Sequence, residues 1–324
     1  MKYTIIRRAF SGLQGRKIQT VSAGTAHKRL ISATALARAI ARTGSLPPEV
    51  ESSDQDLDDE YQSWIDYGWQ RSLPFYLSTL DRTYQDTQDN YQTVQHHVLQ
   101  TYAKQGALPL EQYLDGVWHP LPHIPSERPP LSQTIRNRRT TLVPSSSALS
   151  IEVLSSILES GSAKLATFRA LDNQADPRNA LVNFGPSLDI YVACYKVDGI
   201  DPGIYRYHIT EHALISLPHQ FNFSREAMRQ ALVGQPAPMT AAVSVIYVSD
   251  VSRHQWRYRH SRALRGLWID TAKTVNELLW ALARRRIVPH ITPALDDTRI
   301  CALLGEPDDL SKIPVYAISF GGPK

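Results

Sequence analysis

Cysteine is nearly absent from this chain, which has 2 cysteines, Cys194 and Cys301, among 324 residues. Two thiols cannot build a disulfide framework or a four-cysteine zinc site, and they predict a protein of a reducing compartment, the cytoplasm. Long apolar runs are also missing, because no stretch approaches the roughly 18–20 apolar residues that cross a bilayer. The basic N-terminus lacks the apolar core of a signal peptide, so we expect neither a membrane association nor export.

Several catalytic motifs are missing as well. The sequence contains no G-x-G-x-x-G, Walker A, H-E-x-x-H, G-x-S-x-G or C-x-x-C motif. These absences argue against a Rossmann dehydrogenase, a P-loop enzyme, a zincin and an α/β-hydrolase, and no metal site is predicted. The 35 Lys and Arg residues nearly balance the 31 Asp and Glu residues, giving a net charge of +4. Such a small excess indicates no nucleic-acid partner.

A proline-rich connector divides the chain. Residues 118–130 contain five prolines, which remove backbone donors and stiffen an extended segment. We therefore predict an N-terminal extension over 1–125 and a second domain over 126–324. Apolar residues between Leu30 and Ile40 recur at helical spacing before Gly44, and aromatic residues between Trp64 and Leu77 do the same. The extension is expected to be mainly helical, and its position makes it a candidate for binding a peptide or its leader.

The second domain has the pattern of an α+β fold. Ser150 is a candidate N-cap for a helix that we expect to end at Gly161, and a longer amphipathic helix is predicted over 262–286. β-Branched and aromatic residues favour strands. They predict strands over 188–197, 204–209, 241–251 and 313–322.

Three polar clusters are candidates for chemistry. Residues 136–141 combine three arginines with two threonines. They could bind a phosphate, or they could form a basic surface turn. Residues 178–183 carry Arg178, Asn179 and Asn183, which fit either a heterocycle edge or a turn. Residues 253–265 hold arginines and histidines around Tyr258, which indicates either a solvated basic loop or a tyrosine whose pKa is lowered enough to act as a base.

The order of these motifs resembles a known family over about 195 residues, from about 130 to the end. Arg138-Arg139-Thr140 precedes a helix, Asp189 occupies an acidic position on a strand, and VDGIDPGIYRYHITEHAL (197–214) is the most specific match. The chain resembles the FMN-dependent nitroreductase superfamily, and within it the SagB/McbC-type peptide dehydrogenases. Those enzymes oxidise thiazoline and oxazoline rings to thiazoles and oxazoles during the maturation of ribosomally made peptides (RiPP biosynthesis).

The resemblance implies a fold, a cofactor and partners. The fold is a central, mostly antiparallel sheet flanked by helices, with FMN at the interface of a homodimer. The substrate is a modified precursor peptide, and a complex with a cyclodehydratase is a further expectation. Tyr258 is implied as the catalytic base and Arg257 as the charge that lowers its pKa. The cofactor-binding residues implied by the resemblance are Arg138, Arg139, Thr140, Asn183, Arg262 and Lys324.

Departures from the family pattern keep other functions open. Arg257 stands where the peptide dehydrogenases have a lysine, and Thr292-Pro293-Ala294 replaces a Gly-Gly loop near the flavin. Because glycine permits the closest backbone approach to a ligand, these changes bear on flavin binding itself. A general NAD(P)H-dependent flavin reductase or nitroreductase, another oxidative tailoring enzyme, and a flavin-free scaffold in a peptide-modifying complex are the alternatives.

Overall fold

The computed structural model describes the following residues: 2–5, 17–21, 28–32, 64, 66–69, 71–78, 97–102, 104, 115–125, 129–170, 187–217, 223–305 and 311–323. They belong to two compact units, Met1–Val94 and Gln95–Lys324. Among these residues, none of the helices combines the length and the apolar character needed to cross a membrane.

The first unit contains a small antiparallel sheet. Its strands are β1 (Lys2–Ile5), β2 (Lys17–Val21) and β3 (Lys28–Ser32), in that order. The helix predicted around Leu30 is therefore wrong over Lys28–Ser32, because pairing with the β-branched strand β2 prevails over the local helical spacing. The rest of that predicted helix lies outside the described residues.

The aromatic segment of the first unit agrees in part with its predicted helical face. Helix α1 spans Ser72–Ser78, and Tyr76 on it stacks against Trp64 with ring centroids 5.8 Å apart. Trp69 meets the same Trp64 edge-on at 5.9 Å. Trp69 and Tyr76 are largely exposed, so this cluster is a surface feature of the described residues rather than a buried core.

A seven-stranded antiparallel sheet forms the centre of the second unit. Its strands are β4 (Trp118–Pro120), β6 (Leu188–Cys194), β8 (Gly203–His208), β9 (Ala213–Ser216), β10 (Val243–Asp250), β11 (His290–Thr292) and β12 (Lys312–Phe320). Their order across the sheet is β11-β12-β10-β6-β8-β9-β4. The short strands β5 (Leu149–Ser150) and β7 (Val197–Asp198) pair separately and in parallel. The predicted α+β class, with a mostly antiparallel sheet flanked by helices, is confirmed.

Both faces of the central strands are covered, which explains why β6 is buried at every residue. Ile190 and Val192 pack into one hydrophobic cluster, whereas Tyr191 and Ala193 pack into another. Successive side chains of a strand point to opposite faces, so a continuous apolar run is what a sheet between two helical layers requires.

Helices form the layers on the two faces of the sheet. They are α2 (Leu131–Asn137), α3 (Ile151–Arg169), α4 (Arg225–Ala231), α5 (Ala237–Thr240), α6 (Val251–Arg257), α7 (Ala263–Arg284) and α8 (Asp297–Leu303). The predicted N-cap is confirmed, since the Ser150 hydroxyl accepts a hydrogen bond from the Val153 amide. The predicted end at Gly161 is wrong, because α3 continues for two more turns to Arg169.

Gly161 serves helix packing rather than helix termination. A Cβ atom at this position would lie 2.5 Å from Cδ1 and 2.9 Å from Cα of Leu278 on α7. The absence of a side chain therefore lets α3 and α7 approach each other closely, and both helices contribute to the same hydrophobic cluster.

The proline-rich segment also belongs partly to the sheet. β4 pairs antiparallel with β9, with Trp118 opposite Ile215. Residues on the N-terminal side of position 125 thus form part of the second compact unit, and the division of function between 1–125 and 126–324 stays a prediction.

We expect Gly161→Ala to destabilise the protein by about 1–3 kcal/mol, because the new methyl group overpacks the helix interface. Gly266→Ala on α7 is the matched control, since its Cβ would meet no atom closer than 3.9 Å. That variant should be neutral or stabilising by up to about 1 kcal/mol, because alanine favours a helix over glycine. Urea unfolding of both variants measures the difference, and equal stabilities would contradict the close approach.

Candidate functional site

A set of hydrogen-bond donors lies at the C-terminal end of α2. Arg138 caps the helix in an extended conformation, and Arg138, Arg139 and Thr140 are exposed. Next to them, the side-chain Nδ2 of Asn137 is buried and has no acceptor among the described residues. Two guanidinium groups, a hydroxyl and a buried amide donor form a set that suits an anion with several acceptor oxygens, such as a phosphate.

This donor segment is fastened to the start of β11. The Thr141 amide donates to the Pro289 carbonyl at 2.9 Å, and Nδ1 of His290 lies 3.0 Å from the Thr141 carbonyl. The other ring nitrogen of His290, Nε2, lies 2.5 Å from Oε1 of Gln235. His290 is buried, so these two hydrogen bonds fix the orientation of its ring.

Gln235 continues this network into the loop after β11. Its Nε2 donates to the Thr292 hydroxyl at 2.8 Å and approaches the Ala294 carbonyl at 3.4 Å. The Arg138–Thr141 segment and the Thr292–Ala294 loop were both expected near the flavin. The structure brings them together through His290 and Gln235.

Tyr258 and Arg257 lie where α6 ends. The Tyr258 amide donates to the His254 carbonyl at 3.0 Å, and the guanidinium carbon of Arg257 lies 5.0 Å from the centre of the Tyr258 ring. The His254 ring faces Tyr258 at 5.0 Å, and its Nε2 lies 2.9 Å from the carbonyl of Ala263, the first residue of α7. α6 and α7 are thus joined beside Tyr258.

Burial raises the pKa of the Tyr258 phenol above its ordinary value, and the nearby negative charge of Asp270 raises it further. The positive charge of Arg257 acts in the opposite direction but does not prevail. The expectation of a net lowered pKa is therefore wrong, because desolvation of the phenolate outweighs the attraction of one guanidinium group. The phenol is protonated at neutral pH.

A second ionic cluster lies under α6 and is centred on Asp189 in β6, whose side chain is fully buried. Its Oδ1 is 2.5 Å from a guanidinium nitrogen of Arg253, 3.1 Å from Arg206 and 3.3 Å from Arg169. Lys312 reaches Oδ2 at 3.4 Å. Burial alone would raise the pKa of Asp189, but these four cations hold the pKa well below its usual range.

Asp250 joins this cluster from the end of β10. Its Oδ2 is 3.1 Å from Lys312 and 3.3 Å from Nε of Arg253. Its other oxygen accepts hydrogen bonds from the Ser252 and Arg253 amides and so caps α6. Burial raises the pKa of Asp250, yet the Ser252 hydroxyl and the charges of Arg253 and Lys312 leave that pKa lowered.

The arginines of residues 253–265 therefore do not form one basic loop. Arg253 is only 3% exposed and belongs to the buried cluster around Asp189. Arg259 instead lies over the ring of Tyr102, 3.7 Å from its centre, and Trp256 meets that ring from another side at 6.3 Å. The interpretation of this segment as a solvated basic loop is therefore wrong, because one of its arginines is a core residue.

Some of the remaining predicted residues are described by the structure, and others are not. Arg262 is the half-buried N-cap of α7. Asn183, Arg178 and Lys324 lie outside the described residues. Cys194 and Cys301 are buried free thiols, and burial raises the pKa of Cys194 to about 12, which supports a packing role over a nucleophilic one.

The residues that hold this site in place were not predicted as site residues from the sequence. Asn137 lies inside the arginine-rich motif, so its polar type next to Arg138 was a usable signal. Gln235 and His290 stand 55 residues apart and belong to no motif. Their partnership depends on the tertiary fold, and the local sequence gave no indication of it.

A cleft between α3 and α7 lies near Tyr258. It encloses about 180 Å³, and its lining includes Gly161, Phe168 and Asp270. Cofactor pockets usually measure about 300–1,000 Å³, so we do not assign the flavin to this cleft. Asp270 nevertheless connects it electrostatically to Tyr258.

The chain has a distant relative among known proteins. No model of a known protein family matches the chain. A curated relative, trifolitoxin operon protein TfxC of Rhizobium leguminosarum bv. trifolii, is 23% identical over 299 residues, which cover 90% of this chain and 82% of that protein.

Some solved structures are similar to this chain. A putative nitroreductase from Anabaena variabilis is 19% identical with a TM-score of 0.48, over 59% of this chain and only 37% of that one. The chain is similar to nitroreductases in fold. A second one, from Ralstonia eutropha, is 17% identical over 67% of this chain and 97% of its own, with a TM-score of 0.43. The E. coli microcin synthetase McbBCD complex with truncated pro-MccB17 bound contains a chain 13% identical over 72% of this chain and 94% of its own, also at 0.43.

We expect Asp189→Asn to lower the free energy of unfolding by about 3–5 kcal/mol, because it leaves buried guanidinium groups without their shared counter-charge. The exposed Asp115→Asn is the matched control and should change little. The stability contributed by Asp189 is complete above the unfolded pKa of about 3.9 and is lost as pH falls towards the lowered folded pKa.

The difference between wild type and Asp189→Asn should therefore narrow below about pH 4, the ordinary pKa of a free carboxyl group. Urea unfolding at several pH values measures it. A difference that stays constant on acidification would contradict the ionised state of Asp189.

Proposed function

We propose that this protein is an FMN-dependent dehydrogenase in the maturation of a peptide natural product. Its reaction is the oxidation of thiazoline or oxazoline rings to thiazoles or oxazoles. The observation that carries the proposal is the donor set at the end of α2. There the buried side-chain amide of Asn137, which has no acceptor among the described residues, lies beside Arg138, Arg139 and Thr140.

The sequence motif most typical of the peptide dehydrogenases supports this proposal. Residues 197–214 form β7, β8 and the start of β9, with Gly199 at φ 81° in the turn that precedes Asp201. The Tyr205 hydroxyl donates to the Asp201 carbonyl at 2.8 Å and closes this turn. The motif thus has a structural basis, because its Gly, Asp and Tyr shape one turn at the edge of β8.

The residues present fit FMN at the donor segment. Arg138, Arg139 and Thr140 would hold the phosphate, with Asn137 as a further donor, since all four are of the type that phosphate oxygens accept from. Asn183, Arg262 and Lys324 are proposed as further contacts on the strength of the resemblance. When bound, FMN supplies a two-electron acceptor to the reaction.

Tyr258 is the residue proposed to accept the proton. Aromatising an azoline removes one C–H proton together with a hydride, so a proton acceptor must face the ring. Because the phenol is protonated at neutral pH, only the small phenolate fraction serves as the base. Arg257 increases that fraction through its charge, while His254 on α6 and Asp270 on α7 complete the polar surroundings of the phenol.

We propose that two copies of the chain form a homodimer. Leu131 and Ile135 on α2 are exposed, as are Trp268 and Ile269 on α7, against which α2 packs. Large apolar side chains grouped on neighbouring helices are typical of a protein interface. The donor segment follows α2 directly, so such an interface would lie next to the proposed cofactor site.

The proposed partners follow from the substrate. A ring-bearing precursor peptide is the substrate, and a cyclodehydratase that makes the rings is the expected complex partner, with residues 1–125 as the candidate leader-binding region. The name of the relative, trifolitoxin operon protein TfxC, agrees with such a setting. Two free cysteines support the cytoplasm as its location.

We expect the purified protein to bind one FMN per chain, with two chains per particle, as measured by its visible absorption and by native mass spectrometry. Arg138→Ala should weaken FMN binding by about 10- to 100-fold, because it removes a charged hydrogen bond to the phosphate. Arg136→Ala, two residues away on α2, is the matched control and should bind FMN normally.

Other outcomes of that experiment separate the alternatives. A colourless protein that takes up no FMN would overturn the proposal, and binding of a leader peptide by that protein would favour the scaffold. A flavoprotein that rapidly oxidises NAD(P)H with a quinone or nitroarene, and leaves azolines unchanged, would favour the general reductase.

The pH profile tests the role of Tyr258. Because its pKa is raised and its active form is the phenolate, turnover should rise with pH on the alkaline side. Tyr258→Phe should lower turnover by about 10²–10⁴-fold and flatten the profile while FMN stays bound. Tyr316→Phe is the matched control, because Tyr316 also has a pKa raised by burial but lies on β12. Undiminished turnover by Tyr258→Phe would refute the assignment.

A further inference from the structure

Two histidines and a glutamate meet on the side of the sheet where β4 and β9 form its edge. His123 lies in the segment between β4 and α2, Glu159 lies on α3, and His212 lies in the turn between β8 and β9. Nδ1 of His123 is 2.8 Å from Oε1 of Glu159, and Nε2 of His212 is 3.9 Å from Oε2 of Glu159. The three groups each offer one ligand atom, and these atoms lie within 4.8 Å of one another.

These distances are close to those of a metal site. Zinc binds imidazole nitrogen and carboxylate oxygen at about 2.0–2.2 Å, so the atoms of a tetrahedral set lie roughly 3.3 Å apart. Small movements of the three side chains would therefore bring their ligand atoms to the separations of a tetrahedral site. His123 supplies the freedom for them, because its side chain is 75% exposed, whereas His212 is 4% exposed and fixed.

The fixed histidine has the surroundings of a metal ligand. Nδ1 of His212 lies 2.7 Å from the hydroxyl of the fully buried Tyr207, and Nε2 lies 2.8 Å from the Ser155 hydroxyl and points towards Glu159. The Ser155 hydroxyl donates to the Pro122 carbonyl, so in the metal-free protein Nε2 of His212 is the N–H that donates to Ser155. Binding of a metal at Nε2 moves that proton to Nδ1, which then donates to the Tyr207 hydroxyl. A hydrogen bond to the second ring nitrogen orients a ligating imidazole, and a tyrosine hydroxyl serves this purpose as donor or acceptor.

The neutral imidazole is the form that coordinates metals. Exposure of Glu159 and His123 leaves one side of the cluster open to solvent, which gives an ion both an entry path and a position for water.

We propose that His123, Glu159 and His212 form a binding site for a divalent transition metal of the zinc class. A bound ion would tie the segment that leads into α2 to both α3 and the β8–β9 turn. This site does not depend on the flavin or on Tyr258. No metal site was predicted from the sequence, because the three ligands are spread over 90 residues and show no ligand spacing.

The test is a titration of the tag-free, chelator-treated protein with Co²⁺, followed by its visible bands, and with Zn²⁺, followed by calorimetry. We expect one equivalent of metal per chain. His123→Ala and Glu159→Gln should each weaken binding at least about tenfold, and Tyr207→Phe should weaken it by about tenfold as a positioning residue. His123 is exposed, so its replacement should leave the fold intact.

Matched controls are His119→Ala, on the preceding strand β4, and Glu211→Gln, beside His212. Both should bind metal as the wild type does. Zn²⁺ should raise the Tm of the wild type and of both controls, but not that of His123→Ala. Failure to take up one equivalent, or equal affinity in His123→Ala and Glu159→Gln, would overturn the site and leave a hydrogen-bonded His–Glu pair in its place.

Discussion

The buried carboxylate of Asp189 is the interaction on which the architecture of the larger unit depends. It lies on the central strand β6 and binds cations from α3, β8, α6 and β12 at once. Removing several charges from water is costly, and only close mutual pairing offsets that cost. Helices from different parts of the chain are therefore held at one strand by a common counter-charge, in addition to the apolar packing on both faces of the sheet.

Through Arg253, this interaction reaches the candidate site. Arg253 belongs to α6, and α6 ends at Arg257 and Tyr258. Asp250 caps the start of the same short helix, and His254 joins it to α7. An isolated seven-residue helix is unstable in water, so the position of Tyr258 depends on these tertiary contacts rather than on helix propensity. The structural cluster and the proposed proton acceptor are consecutive parts of one element.

Strong local patterns made much of the fold predictable. The apolar runs of β6, β10 and β12, the amphipathic helix α7 and the cap at Ser150 follow from residue type and spacing alone. The failures share a physical reason, namely dependence on distant residues. Gly161 was expected to end a helix because its partner Leu278 is 117 positions away. A solvated loop around Arg253 was one expectation because its counter-charge, Asp189, lies on the distant strand β6. Of the site, motifs indicated the arginine segment and Tyr258, whereas His290 and Gln235 became visible only in the fold.

The chemistry of Tyr258 depends on how water is excluded around it. Desolvation favours the neutral phenol, Asp270 acts in the same direction, and Arg257 opposes both. Burial also lowers the pKa of Arg257, because the charged guanidinium group loses water. The same loss of water strengthens the attraction between Arg257 and a phenolate. A lysine at this position would lose its proton more readily than arginine under such burial. Arginine keeps a permanent positive charge beside the phenol. In the proposed reaction, that charge would still assist proton removal when a peptide substrate closes the site from solvent.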